Sequence, residues 1–525
     1  MKLTRIVALA TAASLGLTLA SCSDAPSGGS ALKTSGPEAI ADGDNSGLAV
    51  SQRLFDSADT IVVAAADPAA QRAAAEQAIA DGAPMLVATG SNGAQIVEEA
   101  TRLGAKTIKT AGSVAGLEGT DATIEQIEVP AYTPATHQPV LDPGPIDAHT
   151  AIDLETSPNP EDNESASPEA QLTTDIAALE SDAKDSMPPF FATAGTAAAS
   201  VATAKAAGAD VQLLSYPDPR VTSESMKLAA EGDTIALGDE FGDTARYAAA
   251  VDMADNGELP GGGGLVFPGR RMIAYYGHPS GDALGVMGSL PPAEAAQAVS
   301  DLAAEYQQYE TQPVIPAFEV IVTVASEFPG EDGDYSNSVP TDFAMEDYVA
   351  YIDAITEAGG YAVIDLQPGR ASLLQQAQLH EELLKRPNVG LALDPEWKLG
   401  PDELPMTNIG HVEAAEVNEV ADWLAQFTRE NNLPQKALVL HQFQWQMIRD
   451  REQVNTDHPE LAFVLHADGH GSPDLKFETW NVLQDGLEGE WFMAWKNFID
   501  EDTPTFTPEE TFNWVDPRPW FVSYQ

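Results

Sequence analysis

Two short runs in the last third of the chain carry the residue types and spacings that could do chemistry. In NVGLALDPEW (residues 388–397) an apolar run with small residues at alternate places, Gly390 and Ala392, ends in Asp394 and Glu396, followed by Trp397. Side chains alternate across a strand, so these two carboxyl groups point the same way if extension continues through Pro395. Two acids at the end of a buried strand are costly unless they are solvated, paired or used. Such a pair suits proton-transfer chemistry, in which one carboxyl is held protonated while another group stabilises developing positive charge. The second run, His466-Ala-Asp468-Gly-His470, has ligand-type side chains at alternate positions. All three could converge, with His441 or His278 joining them, and the chemistry would then be metal-assisted hydrolysis. Gly469 and Gly471 make the same run equally suited to a flexible loop contacting sugar or phosphate.

These residues need elements to position them. After the glycine-rich stretch 257–264, eight strand-like runs follow at 272–276, 318–325, 361–365, 389–394, 436–441, 461–467, 491–496 and 520–524. Helical patterns at 292–308, 345–358, 371–384, 412–430, 447–453 and 475–483 separate most of them. Eight β/α units in this length match a single (β/α)₈ TIM-type barrel. Residues 500–519 read as loop, so the closing unit is expected to be degenerate, with a distorted seven-stranded barrel as the alternative.

A barrel of this kind builds its site at the carboxyl ends of the strands. Those positions hold Gly277-His278, Ser326-Glu327, Asp365, Asp394 with Glu396, His441 with Gln444, His466 with Asp468 and His470, Lys496-Asn497, and Tyr524. Nearly every end is polar or ionisable, whereas the amino ends begin with residues such as Ala317, Val389 and Leu461. Trp397, Trp445, Trp491 and Trp495 are candidate platforms for sugar rings. Gly281-x-x-x-Gly285-x-x-Gly288 reads as a mobile loop over the mouth. The patches 331–334 and 500–502 read as solvated acidic loops.

The fourth run's Asp-x-Glu resembles the D-x-E that ends the same strand in chitinase-type and some lysozyme-type barrel glycosidases. The resemblance implies that Glu396 is the general acid and Asp394 its partner, with Asp365, Asp468 or Tyr524 as stabilisers. His278, His441, His466, His470, Trp397, Lys496 and Tyr524 are then the expected binding residues. The chain departs from that pattern at Gly390 and Ala392, where those chitinases carry further aspartates, and at the seventh run, which ends in Lys496-Asn497.

The N-terminal half has a different character. The first 21 residues combine a basic start (Lys2, Arg5) with a short apolar run, the pattern of a secretory signal. The following Leu19-Ala20-Ser21-Cys22 resembles a bacterial lipobox, which implies that Cys22, the only cysteine, is lipidated. Residues 22–47 read as a flexible tether. From 48 a β-α-β-α-β alternation begins, a parallel, Rossmann-like α/β pattern. Its elements Arg53-Leu54-Phe55, Ala58-Asp59-Thr60-Ile61-Val62-Val63, Gly82-Ala83-Pro84-Met85-Leu86-Val87 and Arg102-Leu103-Gly104-Ala105 resemble the cell wall-binding repeat type 2 family of Gram-positive surface proteins. The resemblance covers 48–118, and 187–256 reads as a divergent second half. Between them, 119–186 is an acidic, proline-dotted insertion, and 257–267 reads as a glycine hinge ahead of the barrel at 268–525.

With 26 basic and 81 acidic residues the formal charge is −55, which disfavours nucleic acid and anionic lipid head groups as partners. The expectation is therefore an actinobacterial cell-surface lipoprotein, anchored through Cys22 on the outer face of the membrane. It would carry a wall-binding region and a barrel that hydrolyses cell-wall or environmental glycan without a cofactor. A non-catalytic glycan-binding protein and a metal-dependent hydrolase are the alternatives.

Overall fold

The structure, a computed structural model, describes residues 32, 36–135, 167–184, 186–330, 333–336 and 345–525. The signal segment, Cys22 and residues 136–166 of the acidic insertion lie outside these residues.

The eight expected runs close into one parallel barrel. In chain order its strands are Arg271–Gly277, Val314–Thr323, Tyr361–Leu366, Val389–Leu393, Lys436–Gln442, Leu461–Ala467, Phe492–Asn497 and Phe521–Tyr524. The last strand pairs with the first, Ser523 opposite Ala274, so the seven-stranded alternative is set aside. The final connection is also helical where a loop was expected. Thr507 and Glu510 form a capping box, each side chain taking the other's backbone N–H, and start a helix at Pro508–Trp514. Conversely, the helix expected at 447–453 is two 3₁₀ turns around a short strand, Ile448–Arg449, which pairs with Val412–Glu413.

Alternation along the strands splits the barrel into two packed zones. Met272, Ala274, Ala317, Tyr361, Val363, Ala392, Val439, Val464 and Phe492 fill the axis at its amino end. Their neighbours in sequence, such as Phe318, Ile364, Leu391, Leu440 and Leu465, face the surrounding helices. The segment read as a hinge is packed: Leu259, Val266 and Phe267 are buried against the barrel's amino end, and Phe267 lies 5.4 Å from Phe492. Gly261, Gly262 and Gly263 all adopt positive φ there, and Arg270 donates to the carbonyl oxygens of Pro260 and Gly262.

The N-terminal part forms two four-stranded parallel sheets. One orders its strands Met85–Ala88, Thr60–Ala65, Thr107–Ala111, Thr123–Gln126; the other Glu38–Ile40, Ile235–Leu237, Phe190–Thr193, Val211–Leu214. They share a core through alanine-rich helices Pro68–Asp81 and Ala198–Ala207, whose small side chains allow close approach. Thr203 both donates to the Met85 carbonyl and accepts from its N–H. The tether reading fails for its last ten residues: Glu38–Ile40 is an edge strand, and buried Asp42 accepts from Gly47 and Ser200. The insertion likewise contributes a strand, Thr123–Gln126, and a helix, Pro168–Ala177, whose Leu172 and Ile176 join the core. Among the described residues no helix is long and apolar enough to cross a membrane.

Candidate functional site

Continuing the inward parity upward from the apolar zone places one polar side chain after another at the carboxyl end of the barrel. They are Tyr276, Glu319, Asp365, Asp394, His441, His466, Lys496 and Ser523, one from each of the eight strands or the residue just after it, with Asp468 one step above His466. All are buried, none more than 7% exposed. Their contacts fall into two adjoining sets, one around His441 and one around Tyr276, whose rings lie 6.1 Å apart. His441 Nδ1 lies 2.9 Å from Asp468 Oδ2, and its Nε2 lies 2.9 Å from Glu319 Oε1. His466 Nδ1 is 3.4 Å from His441 Nε2, while His466 Nε2 meets Ser523 Oγ at 2.9 Å. Tyr276 donates to Asp365 Oδ2 at 2.9 Å, and Lys496 Nζ sits 3.6 Å above the Tyr276 ring.

The fourth strand stops at Leu393, so Asp394 and Glu396 are not consecutive inward positions of one extended strand as expected. Pro395–Trp397 is a 3₁₀ turn, and Asp394 Oδ1 accepts the Glu396 N–H at 3.2 Å. The Glu396 carbonyl in turn accepts the Gly410 N–H at 2.7 Å, fastening the turn to the following loop. A Cβ at Gly410 would collide with the Lys398 carbonyl. The outcome is a buried Asp394 and a half-buried Glu396 standing above it.

The electrostatics separate these carboxyl groups into two kinds. Burial penalises ionised Glu319, but imidazoles His441 and His466 beside it more than compensate and hold it well below the usual carboxylate range. Asp468 is also held down, its burial outweighed by the hydrogen bond and charge of His441 and by Lys496. His441 is pushed well above the ordinary histidine value despite its burial, because Glu319 and Asp468 flank both ring nitrogens. In contrast, burial raises Asp365 to about 6 and raises Asp394 strongly, with neighbouring acids adding to it and His441 opposing. Glu396 is raised to about 7, first by burial and then by the Asp468 charge, with Lys496 and His441 pulling the other way. The site therefore sets carboxyl groups that are held down, Glu319 and Asp468, beside carboxyl groups that are pushed up, Asp365, Asp394 and Glu396, the kind of separation on which acid and base roles can be built.

Several expected site residues lie elsewhere. Tyr524 points out of the barrel, its hydroxyl 2.7 Å from that of Tyr306 on an outer helix; Ser523 is the inward residue of that strand. His278 is tied to Tyr348 of the outer helix at 3.1 Å and to Ser280 at 2.8 Å, and burial lowers it to about 4. His470 is exposed on the loop, edge-on to Phe498, and does not converge with His466 and Asp468. Trp491 and Trp495 are buried on the outer face of the barrel and cannot serve as sugar platforms. Trp397 and Trp445 retain exposure, the latter stacked on Arg451 at 4.1 Å. The Gly281–Gly288 segment is two tight 3₁₀ turns rather than an open flap. Asp502, placed among the solvated acids, is buried against Lys476 at 2.8 Å.

Three members of the site were not singled out beforehand: Glu319, Tyr276 and Ser523. Glu319 is the signal most open to discovery, a lone acid in the middle of the apolar run PAFEVIVT. Two overlapping groups, Glu319 with His441 and His466, and Asp394 with His441 and Asp468, bring ligand-type atoms within 4.8 Å of one another. A cavity of about 690 Å³ lies at the opposite end of the barrel, against the second sheet. There Glu240 accepts from Thr193 and Thr196, and Arg246 bridges to Glu490 of the barrel at 2.9 Å. No family model, curated protein or solved structure matches this chain.

Proposed function

We propose that the barrel mouth hydrolyses glycosidic bonds, with Glu396 as the general acid. The observation that carries this reading is the state of Glu396: half-buried at the rim, raised to about 7, and beside an Asp468 that stays ionised. A glycosidase needs a carboxylic acid that still holds its proton at working pH to protonate the leaving oxygen. It also needs a negative group nearby to stabilise the oxocarbenium-like transition state, and Asp468 is suited to that part. Asp394 acts as a positioning residue, since its carboxyl oxygen caps the turn that carries Glu396. Lys496 and the exposed face of Trp397 are the candidates for holding sugar hydroxyls and rings.

The wider setting belongs to the same proposal. Lipidation of Cys22 would anchor the chain at the outer face of a membrane, and a wall-binding role for 48–118 would hold the mouth near envelope polymers. The supports are the Leu19-Ala20-Ser21-Cys22 run and the quoted repeat-like elements.

The test is hydrolysis of peptidoglycan, arabinogalactan, chitin and α-glucans by the purified full chain and by Glu396→Gln. The variant should lose ~10²–10⁴ in rate, the usual contribution of a positioned acid, while still binding the polymer. Binding without turnover by both proteins would instead make the barrel a glycan receptor.

A further inference from the structure

One layer below Glu396, three atoms face each other with the spacing of ligands around a small metal ion. His441 Nε2 is 2.9 Å from Glu319 Oε1, His466 Nδ1 is 3.4 Å from His441 Nε2, and His466 Nδ1 is 3.7 Å from Glu319 Oε1. Ligands bound at about 2.0–2.1 Å in a tetrahedral zinc site stand about 3.3–3.4 Å from one another. The observed separations bracket that value. Two imidazole nitrogens and one carboxylate oxygen are also a donor set that zinc accepts while leaving a fourth position for water.

The surroundings are arranged as an outer ligand shell requires. Each imidazole has its other nitrogen engaged, His441 Nδ1 with Asp468 at 2.9 Å and His466 Nε2 with Ser523 at 2.9 Å, which fixes the nitrogen that faces the centre. A second observation is independent of these spacings. Among the described residues Glu319 Oε2, on the carboxylate that supplies the third ligand, is a fully buried oxygen without a hydrogen-bond partner, and the Glu319, His441 and His466 side chains are 0% exposed. Buried acceptors of this kind are rare unless something binds them.

We propose that Glu319, His441 and His466 bind a divalent transition metal, zinc by preference, with Asp468 and Ser523 as the outer partners that orient the two imidazoles. The ion would sit on the Nε2 side of the His441 ring, among the three facing atoms, with Asp468 across the ring at Nδ1. It does not depend on Glu396 acting as an acid, because its readout is binding. Should the mouth prove hydrolytic, a metal at this depth would supply a Lewis acid to it.

The experiment uses the full chain, dialysed against chelator and then titrated with Zn²⁺ and with Co²⁺ at neutral pH, bound metal being counted directly. One equivalent should bind tightly, and the Co²⁺ form should show the intense visible bands of four-coordinate cobalt. Glu319→Gln and His466→Ala should each weaken binding at least 100-fold, and Asp468→Asn by 10–100-fold, the usual range for an outer-shell carboxylate. His470→Ala should bind as wild type does. The many surface acids will take up ions weakly, so the Glu319→Gln/His466→Ala protein sets the background. Wild type binding no more than that background overturns the proposal. So does binding that survives His466→Ala but is lost in Asp394→Asn, which would place the ion in the neighbouring Asp394/His441/Asp468 group. If the His466 variant fails to fold, the wild-type cobalt spectrum decides: four-coordinate bands support the site, and weak six-coordinate bands or none refute it.

Discussion

The two ends of the barrel use the same strands and the same inward parity, yet they hold opposite kinds of side chain. On the fifth strand Val439 faces the axis in the apolar zone, and two residues later His441 faces it in the polar one. The same step separates Ala317 from Glu319, Val363 from Asp365, Ala392 from Asp394 and Ala494 from Lys496. At the amino end Phe267, Phe492 and Trp520 close the barrel, with rings 5.4–5.9 Å apart. At the carboxyl end every group is dear to bury and stands only because another compensates it. Apolar packing fills one end and mutually compensated polar groups fill the other, one pleat apart.

The largest break in that contrast is to move a charge down one pleat. Val439→Asp would bury a carboxylate among the apolar side chains that fill the axis. An uncompensated buried charge costs about 3–5 kcal/mol, a large share of a typical ~5–15 kcal/mol stability. A midpoint lowered by about a third to a half in a denaturant titration is the expected result. Glu396→Gln is the mirror experiment, with a large loss of turnover and a melting temperature equal to or above wild type. Burial raises Glu396 above its ordinary value, so its ionised form destabilises the fold as pH climbs from about 4.5 through about 7. The glutamine variant should be relatively more stable than wild type above that window and indistinguishable below it.

A smaller break concerns the backbone that shapes the mouth. A Cβ at Gly288 would meet the carbonyls of His278 and Gly281, so Gly288→Ala should cost about 1–3 kcal/mol through forced displacement. Thermal unfolding would show it as a drop of a few degrees. The smallest effect sharpens the electrostatics. Lys496 favours the ionised form of Glu396, so Lys496→Met should raise the Glu396 carboxyl further. The alkaline limb of kcat/KM, set near pH 7 by loss of the Glu396 proton, should then move to higher pH.

Much of this was legible in the residues. The eight apolar runs are long enough and well enough separated by helical patterns to mark every barrel strand. Their carboxyl ends read as polar, and Asp365, Asp394, His441, His466, Asp468 and Lys496 all gather at that end of the barrel. What failed did so over single residues of register. Tyr524 and Ser523 differ by one position and face opposite sides, and periodicity does not say which until a partner strand fixes the pleat. Glu319 sits mid-strand by sequence, and only the offset between the second strand and its neighbours lifts it to the level of Asp365 and His441. The closing helix was hidden in a loop-like stretch although its Thr507–Glu510 capping pair was present. At the N-terminus, Glu38–Ile40 looked like tether because its strand character comes from pairing with Ile235–Leu237, nearly two hundred residues away.

The rise of Glu396 to about 7 can be tested without knowing the substrate. The measurement is a pH titration of the Glu396 carboxyl by ¹³C resonance, identified by its absence in Glu396→Gln. A midpoint near 7 is the predicted result; a midpoint near the ordinary 4.5 would contradict it, because the rim would then hold no proton to donate.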